Sequence, residues 1–281
     1  MKSFEDKIVV ITGAGSGIGR ALALQLIAEK AVLVLLDKDL EGLEETKRLA
    51  GNDFFEQIHL RETDISSKEK VYEIAEWVIN TFQRVDVVIN NAGVALDRLS
   101  IAEVSYEEME WIFSINFWGV VYGTKAYLPQ MLKQNSGYIV NISSLFGLVG
   151  VSDNGAYCAT KFAVRGFTES LRAELMDIGV TAMSVHPGGI LTNIVRNARS
   201  RRDSSSEEVQ KDIKRVERLF KTSPEDAAKK IIWGIKKGKG RLLIGKDARQ
   251  ADRIIRLFPE RAIKIFYKLS SGIRQKSTPK T

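Results

Sequence analysis

Along this chain, short unbroken runs of valine, isoleucine and leucine alternate with longer segments whose apolar residues recur every three or four positions. The runs predict strands at 7–12 (KIVVIT), 32–36 (VLVLL), 55–60, 85–90 (VDVVIN), 137–143 (GYIVNIS), 180–185 (VTAMSV) and 241–245 (RLLIG). The periodic segments predict helices at 17–29, from the second strand to about 50, and at 67–82, 105–134, 155–178 and 224–237. Strands that are apolar at consecutive positions are buried on both faces, which calls for a parallel sheet covered by helices on each side. Right-handed crossovers then make the expected fold α/β, one doubly wound parallel sheet of about seven strands. Its ligand is expected beyond the C-terminal ends of the strands.

Two segments depart from this alternation. Residues 193–222 are polar and mixed in charge, with an N-cap expected among Ser204–Ser206 ahead of a helical piece. An excursion this long is either a functional, substrate-facing loop or a solvated surface segment. From 251 onward Ala251, Ile254, Ile255, Phe258, Ala262, Ile265, Phe266 and Leu269 recur at helical spacing. Arg253, Arg256, Lys264 and Lys268 fall largely on the other side, and Pro259 interrupts the pattern. The domain is therefore expected to span 1–245, with 246–281 a basic amphipathic tail. Two readings of that tail stay open. It docks on the domain, covering the cleft or joining a subunit contact, or it lies on an anionic membrane surface.

Charge sharpens this picture. Residues 246–281 hold ten Lys/Arg and three Asp/Glu, a balance of +7 that equals the net charge of the whole chain. Residues 1–245 are thus neutral, which argues against a nucleic-acid-binding core. One cysteine, Cys158, excludes an internal disulfide framework and fits a reducing compartment. With two histidines beside it there is little material for a zinc site or a Ser-His-Asp hydrolase, so no metal is expected. His59 and His186 read as structural. The start, MKSFEDKIVVITG, lacks a signal-peptide layout, and a cytoplasmic protein is the expectation, with peripheral membrane association through the tail as its variant.

Three local patterns carry chemistry. ITGAGSGIG (11–19) joins the first strand to the first helix, and Gly13, Gly17 and Gly19 let backbone approach a pyrophosphate at a helix N-terminus. Asp37 closes the second strand, where a carboxylate can accept from ribose hydroxyls and repel a 2′-phosphate. This favours NAD, while the adjacent Lys38 keeps NADP open. YCATK (157–161) stacks a phenol and an ammonium one helical turn apart, with Cys158 turned away into packing.

Taken in order, T-G-x-x-x-G-x-G at 12–19, NNAG at 90–93, Asn116, ISS at 142–144, Y-x-x-x-K at 157–161 and PGGILT at 187–192 closely resemble the short-chain dehydrogenase/reductase family over roughly residues 5–192. The resemblance implies a Rossmann-type domain that is the whole enzyme. It would move hydride between NAD(P) and a carbinol or carbonyl, as a homodimer or homotetramer. By resemblance Asn116, Ser144, Tyr157 and Lys161 are the catalytic set. Ser16 and Ile18 join the glycine turn, Asp64 and Ile65 lie on the adenine side, and Asn91, Ala92 and Gly93 line the cofactor. Pro187, Gly188, Ile190 and Thr192 form the nicotinamide-side loop. Lys161, aided by the positive nicotinamide of the oxidised cofactor, is expected to lower the Tyr157 pKa from about 10 by about 1–3 units and to bind the nicotinamide ribose. Ser144 is expected to hold the substrate oxygen and Asn116 to anchor a water linking Lys161 to solvent. An apolar secondary alcohol or ketone is the expected substrate. A catalytically silent nucleotide-binding regulator and a membrane-associated scaffold are the alternatives. The aromatics Trp111, Phe113, Phe117 and Trp118 read as core or subunit contact.

Overall fold

The computed structural model describes residues 1–199 and 220–271, the last three as backbone, together with 210, 211, 214, 217 and 218. Strands β1 (Ile8–Thr12), β2 (Val32–Asp37), β3 (Ile58–Glu62), β4 (Val87–Asn90), β5 (Gly137–Ile142), β6 (Val180–Pro187) and β7 (Arg241–Ile244) form one sheet in the order β3-β2-β1-β4-β5-β6-β7. Every pairing is parallel. The helices are α1 (Gly17–Ala28), α2 (Leu40–Ala50), α3 (Lys68–Phe82), α4 (Tyr106–Phe113), α5 (Gly119–Gln134), α6 (Gly155–Glu174), α7 (Pro224–Lys236), α8 (Lys246–Leu257) and α9 (Pro259–Ser271).

Alternation along each strand divides the core into two layers. Val9 and Ile11 of β1 face Leu22, Leu26, Ile231 and Ile235 of α1 and α7. Ile8 and Val10 face the other side, among Val71, Val78, Tyr127, Met131 and Leu171 of α3, α5 and α6. This accounts for the unbroken apolar runs, since both faces of each central strand are covered. The strand order reverses between β1 and β4, so the loops after β1, β4, β5 and β6 border one crevice at the C-terminal ends. The doubly wound parallel sheet expected from the sequence is the fold observed.

Three boundaries differ from expectation. Residues 52–57 form a 3₁₀ turn, entered through Gly51 at φ +92°, and β3 begins only at Ile58. The helix expected at 105–134 is split by a π turn at Ser114–Trp118, where the Gly119 N–H reaches back to the Ser114 carbonyl. The helix expected to reach 178 ends at Glu174, ahead of a turn holding Asp177 at φ +66°. The cap expected among Ser204–Ser206 and the side chain of Leu269 lie outside the described residues. At the other end of the chain, α8 packs on β7 and on residues 145–147, and Asp252 pairs with Arg241 of β7. The tail therefore begins as a docked helix.

Beneath the crevice a polar network ties the strands to the helices. Asn90 Nδ2 donates to Asn141 Oδ1 at 2.8 Å and to Thr124 Oγ1 at 3.2 Å. Asn141 Nδ2 donates to Thr168 Oγ1 at 3.0 Å, and all four residues are buried. Removing one member strands the others away from water. Asn141→Ala is expected to lower unfolding free energy by about 2 kcal/mol, read as a lower urea midpoint. An unchanged midpoint would contradict the network's role.

Candidate active site

The glycine turn is built for close approach. Gly13 and Gly17 hold φ of +67° and +52°, and a Cβ on Gly19 would lie 2.0 Å from the Gly13 carbonyl oxygen. The turn therefore tolerates only glycine at these places. It opens α1 with Ser16 in the N-cap position, making no side-chain cap bond, and with no acidic residue in the first turn. First-turn N–H groups without an intramolecular acceptor favour an anion. Ile18 packs on the core beside this turn.

The flanking residues hold the turn in place. Asp37 Oδ2 accepts from the Gly15 N–H at 2.9 Å and Oδ1 from the Asp39 N–H at 3.2 Å, which fixes the carboxylate at the end of β2. Arg20 donates to the Gly15 carbonyl, and through Nε to Thr46 Oγ1 at 3.0 Å. Across the crevice, Thr12 Oγ1 accepts from the N–H groups of both Asn91 and Ala92 at 3.0 Å. Asn91 Nδ2 in turn donates to the Thr12 carbonyl at 2.9 Å. Asp64 is exposed and accepts from the Ser66 N–H and hydroxyl, and Ile65 is buried against Gly119.

Ser144, Tyr157 and Lys161 meet at the end of β5. Ser144 caps the turn at 145–147, its Oγ accepting from the Phe146 N–H at 3.1 Å. Lys161 is buried, with Nζ 3.2 Å from the Ile142 carbonyl oxygen and 5.6 Å from the centroid of the Tyr157 ring. A Cβ on Gly93 would lie 3.2 Å from both Lys161 Nζ and Asn116 Oδ1, so the turn after β4 closes over this amine. Asn116, in the π turn, accepts from the Val94 N–H at 2.8 Å and donates to the Val94 carbonyl at 2.9 Å and Thr160 Oγ1 at 3.3 Å. Its side chain is thus a clamp between the loop after β4 and α6.

The electrostatics differ from the sequence expectation. Lys161, aided by the positive nicotinamide of an oxidised cofactor, was expected to lower the Tyr157 pKa; in the protein alone burial pushes Tyr157 up to about 12. Burial also pushes Lys161 down to about 8. The reason is desolvation, which penalises phenolate and ammonium alike. Tyr157 itself is half-buried.

The PGGILT segment leaves β6 at Pro187. Thr192 packs against Gly17, within 3.1 Å of where a Cβ would stand, and Ile190 bridges to Thr222. Sequence reasoning missed the residues that hold these loops. Asp247, in the first turn of α8, accepts from the Gly189 N–H at 2.7 Å and crowds Gly188 so closely that no Cβ fits there. His186 reaches the Ser144 carbonyl through Nδ1 at 3.1 Å and Ser184 Oγ through Nε2 at 3.2 Å. A carbonyl only accepts, so Nδ1 carries the proton and Nε2 accepts from Ser184. The chemistry of Thr12, His186 and Asp247 depends on partners far away in the chain, and spacing gives no sign of them.

A family model described as short chain dehydrogenase matches residues 7–203. A Mycobacterium tuberculosis protein bearing the name oxidoreductase SadH is 44% identical over 259 residues, 92% of each chain. Epidermal retinol dehydrogenase 2 of Mus musculus is 42% identical over 175 residues, 62% of this chain and 56% of its own length. The crystal structure of a short chain dehydrogenase/reductase from Burkholderia phymatum in complex with NAD aligns over 100% of both chains, with 27% identity and a TM-score of 0.80.

Burial of His186 has a pH consequence. Its pKa falls from 6.5 to about 4, so between those values the unfolded chain binds a proton that the folded chain refuses. The stability it contributes is complete above pH 6.5 and is lost as pH falls, by about 3 kcal/mol on reaching pH 4. His186→Asn keeps a donor near the Nδ1 position without titrating, and should flatten this part of the stability curve. Urea midpoints that fall in parallel for both proteins on going from about pH 7 to about pH 4.5 would refute the assignment.

Proposed function

The chain belongs to the short-chain dehydrogenase/reductase family, and on that footing we propose that it is an NAD(P)-dependent oxidoreductase interconverting an alcohol and a ketone or aldehyde. The observation that carries the reading is Tyr157 with the Lys161 amine buried 5.6 Å from its ring centroid and Ser144 at the end of β5 beside them, in the crevice that the glycine turn borders. The residues fit a dinucleotide. The turn at 13–19 leaves no room for side chains where a pyrophosphate would pass, and the start of α1 offers its N–H groups to an anion. Gly13, Ser16, Gly17, Ile18 and Gly19 would take the phosphates, Asp37 the adenosine ribose, and Asp64 and Ile65 the adenine. Asn91, Ala92 and Gly93 would line the middle, with Pro187, Gly188, Ile190 and Thr192 beside the nicotinamide. A bound nicotinamide dinucleotide supplies or accepts the hydride.

The chain's own residues handle the proton and the oxygen. Ser144 donates to the substrate oxygen as negative charge develops on it. At neutral pH Tyr157 is protonated, so it is set to donate its proton to that oxygen during carbonyl reduction. Lys161, still largely charged at neutral pH, stabilises the phenolate left behind and binds the nicotinamide ribose. Asn116 keeps residues 93–94 in place over the amine. Oxidation of an alcohol must begin from the deprotonated phenol and is the direction that gains from alkali. An apolar substrate is supported by Phe146, whose ring stands edge-on to Tyr157 at 6.0 Å, and by the mouse relative named for retinol, a lipophilic alcohol. A homodimer or homotetramer is supported by the aromatic surface where exposed Trp118 stacks on Tyr122. The buried thiol of Cys158 suits a reducing, cytoplasmic setting.

Two outcomes test this reading. Tyr157→Phe should bind cofactor as the parent does while turnover falls about 10²–10⁴-fold. In the parent, oxidation should rise with pH through the alkaline range more steeply than reduction. Retained turnover in the variant would end the assignment of Tyr157. Asp37→Asn keeps an acceptor for the Gly15 N–H but removes the charge, and should reduce the preference for NAD(H) over NADP(H) about tenfold in binding titrations. An unchanged ratio would show that the carboxylate does not set it.

A further inference from the structure

The apolar side chains that the two tail helices bury fully are alanines, with Ile254, Ile255, Ile265 and Phe266 half-buried beside them. Ala248, Ala251 and Ala262 are buried, whereas Leu257 is 71%, Ile263 64% and Phe258 49% exposed. A helix pair that merely closed the core would reverse this, since each large apolar side chain left in water forgoes about 1.5–3 kcal/mol of burial. These three lie around the Pro259 break, where α8 ends and α9 begins. Arg253, Arg256, Arg261 and Lys264 surround them in the chain and are exposed. The nearby acids are Glu260, exposed in the first turn of α9, and Asp252, which is already shared between Arg241 and Arg256.

We propose that the α8–α9 corner is a surface for anionic lipid, with Leu257, Phe258 and Ile263 entering the headgroup–acyl boundary and Arg253, Arg261 and Lys264 binding the headgroups. Charge selects this occupant over a second copy of the chain. Residues 246–281 carry +7, and a two-fold contact would set two such segments against each other. An anionic bilayer offers the opposite charge and a fluid apolar layer that needs no shaped pocket. No helix among the described residues is long and apolar enough to cross a membrane, so the contact is peripheral.

The placement ties lipid to the crevice. The same helix α8 that ends in Leu257 carries Asp247 in its first turn, and that carboxylate holds the Gly189 N–H. It also packs on the turn at 145–147 that Ser144 caps. A docked corner would bring the crevice close to a membrane, where an apolar alcohol or ketone concentrates. This consequence rests on the proposed oxidoreductase activity, whereas the lipid contact does not.

The experiment is flotation of the full chain with vesicles of phosphatidylcholine alone and of phosphatidylcholine mixed with phosphatidylserine. The parent should float with the anionic vesicles and remain behind with the neutral ones. Arg253→Gln/Arg261→Gln/Lys264→Gln should lower the partition coefficient about a hundredfold, near 1 kcal/mol for each cation removed. Leu257→Ser/Phe258→Ser/Ile263→Ser should abolish flotation, and thermal unfolding should show both variants folded. Equal recovery with the two vesicle types, or flotation surviving in the serine triple, would overturn the proposal. Light scattering without lipid gives the rival outcome: a smaller species for the serine triple than for the parent would assign the face to a second copy. Flotation without turnover on any alcohol or ketone would leave the lipid surface standing and sink the oxidoreductase reading alone.

Discussion

The site depends on keeping an ammonium inside the protein. Lys161 is 3% exposed, and the described partner of its Nζ is the Ile142 carbonyl at the end of β5. Desolvation makes such a charge costly, and that cost appears as a pKa lowered to about 8. The fold meets it with backbone. Parallel strands end together, so the carbonyl after β5 and the turn after β4 converge on one point, and α6 delivers the lysine there from the side. Ser143 strengthens the arrangement by donating to the Lys161 carbonyl at 2.7 Å, which locks the first half of α6 to the strand end.

Around that point the loops are held by one another more than by their own sequences. Thr12 takes two N–H groups from the turn after β4, and Asn91 returns a bond to the Thr12 carbonyl. Asn116 grips Val94 from the other side. His186, kept neutral by burial, fixes the Ser144 carbonyl from β6. Asp247 secures Gly189 from the first turn of the tail. A rigid crevice assembled from so many elements favours catalysis, since an oriented donor gains effect only when it does not have to reorganise.

How much of this was legible follows from the range of each interaction. Strands β1, β2, β4, β5 and β6 were readable because burial on both faces leaves an apolar run, and the glycine turn because positive φ and close approach demand glycine. The Ser144, Tyr157 and Lys161 positions were readable through their spacing and through family resemblance. The start of β3 was not, because Phe54 and Phe55 suit a strand but follow the Gly51 turn as 3₁₀ structure. The π turn at 114–118 adds a residue to a helix without altering its apolar period enough to be seen. The tail could be read two ways because periodicity counts Ala251 and Phe258 as equivalent. Only burial separates an alanine that docks from a phenylalanine that does not.

The pKa reversal at Tyr157 is the most informative departure. Spacing alone places a cation beside a phenol and suggests acidification, but spacing contains no dielectric. In the folded chain both groups lose water, which raises the pKa of the phenol and lowers that of the amine. The protein alone therefore holds a neutral phenol beside a weakened cation at neutral pH. Drawing the proton off instead requires added positive charge in the crevice, and an oxidised nicotinamide ring carries one. On the proposed function, that charge would add to the charge of Lys161 in favouring the phenolate.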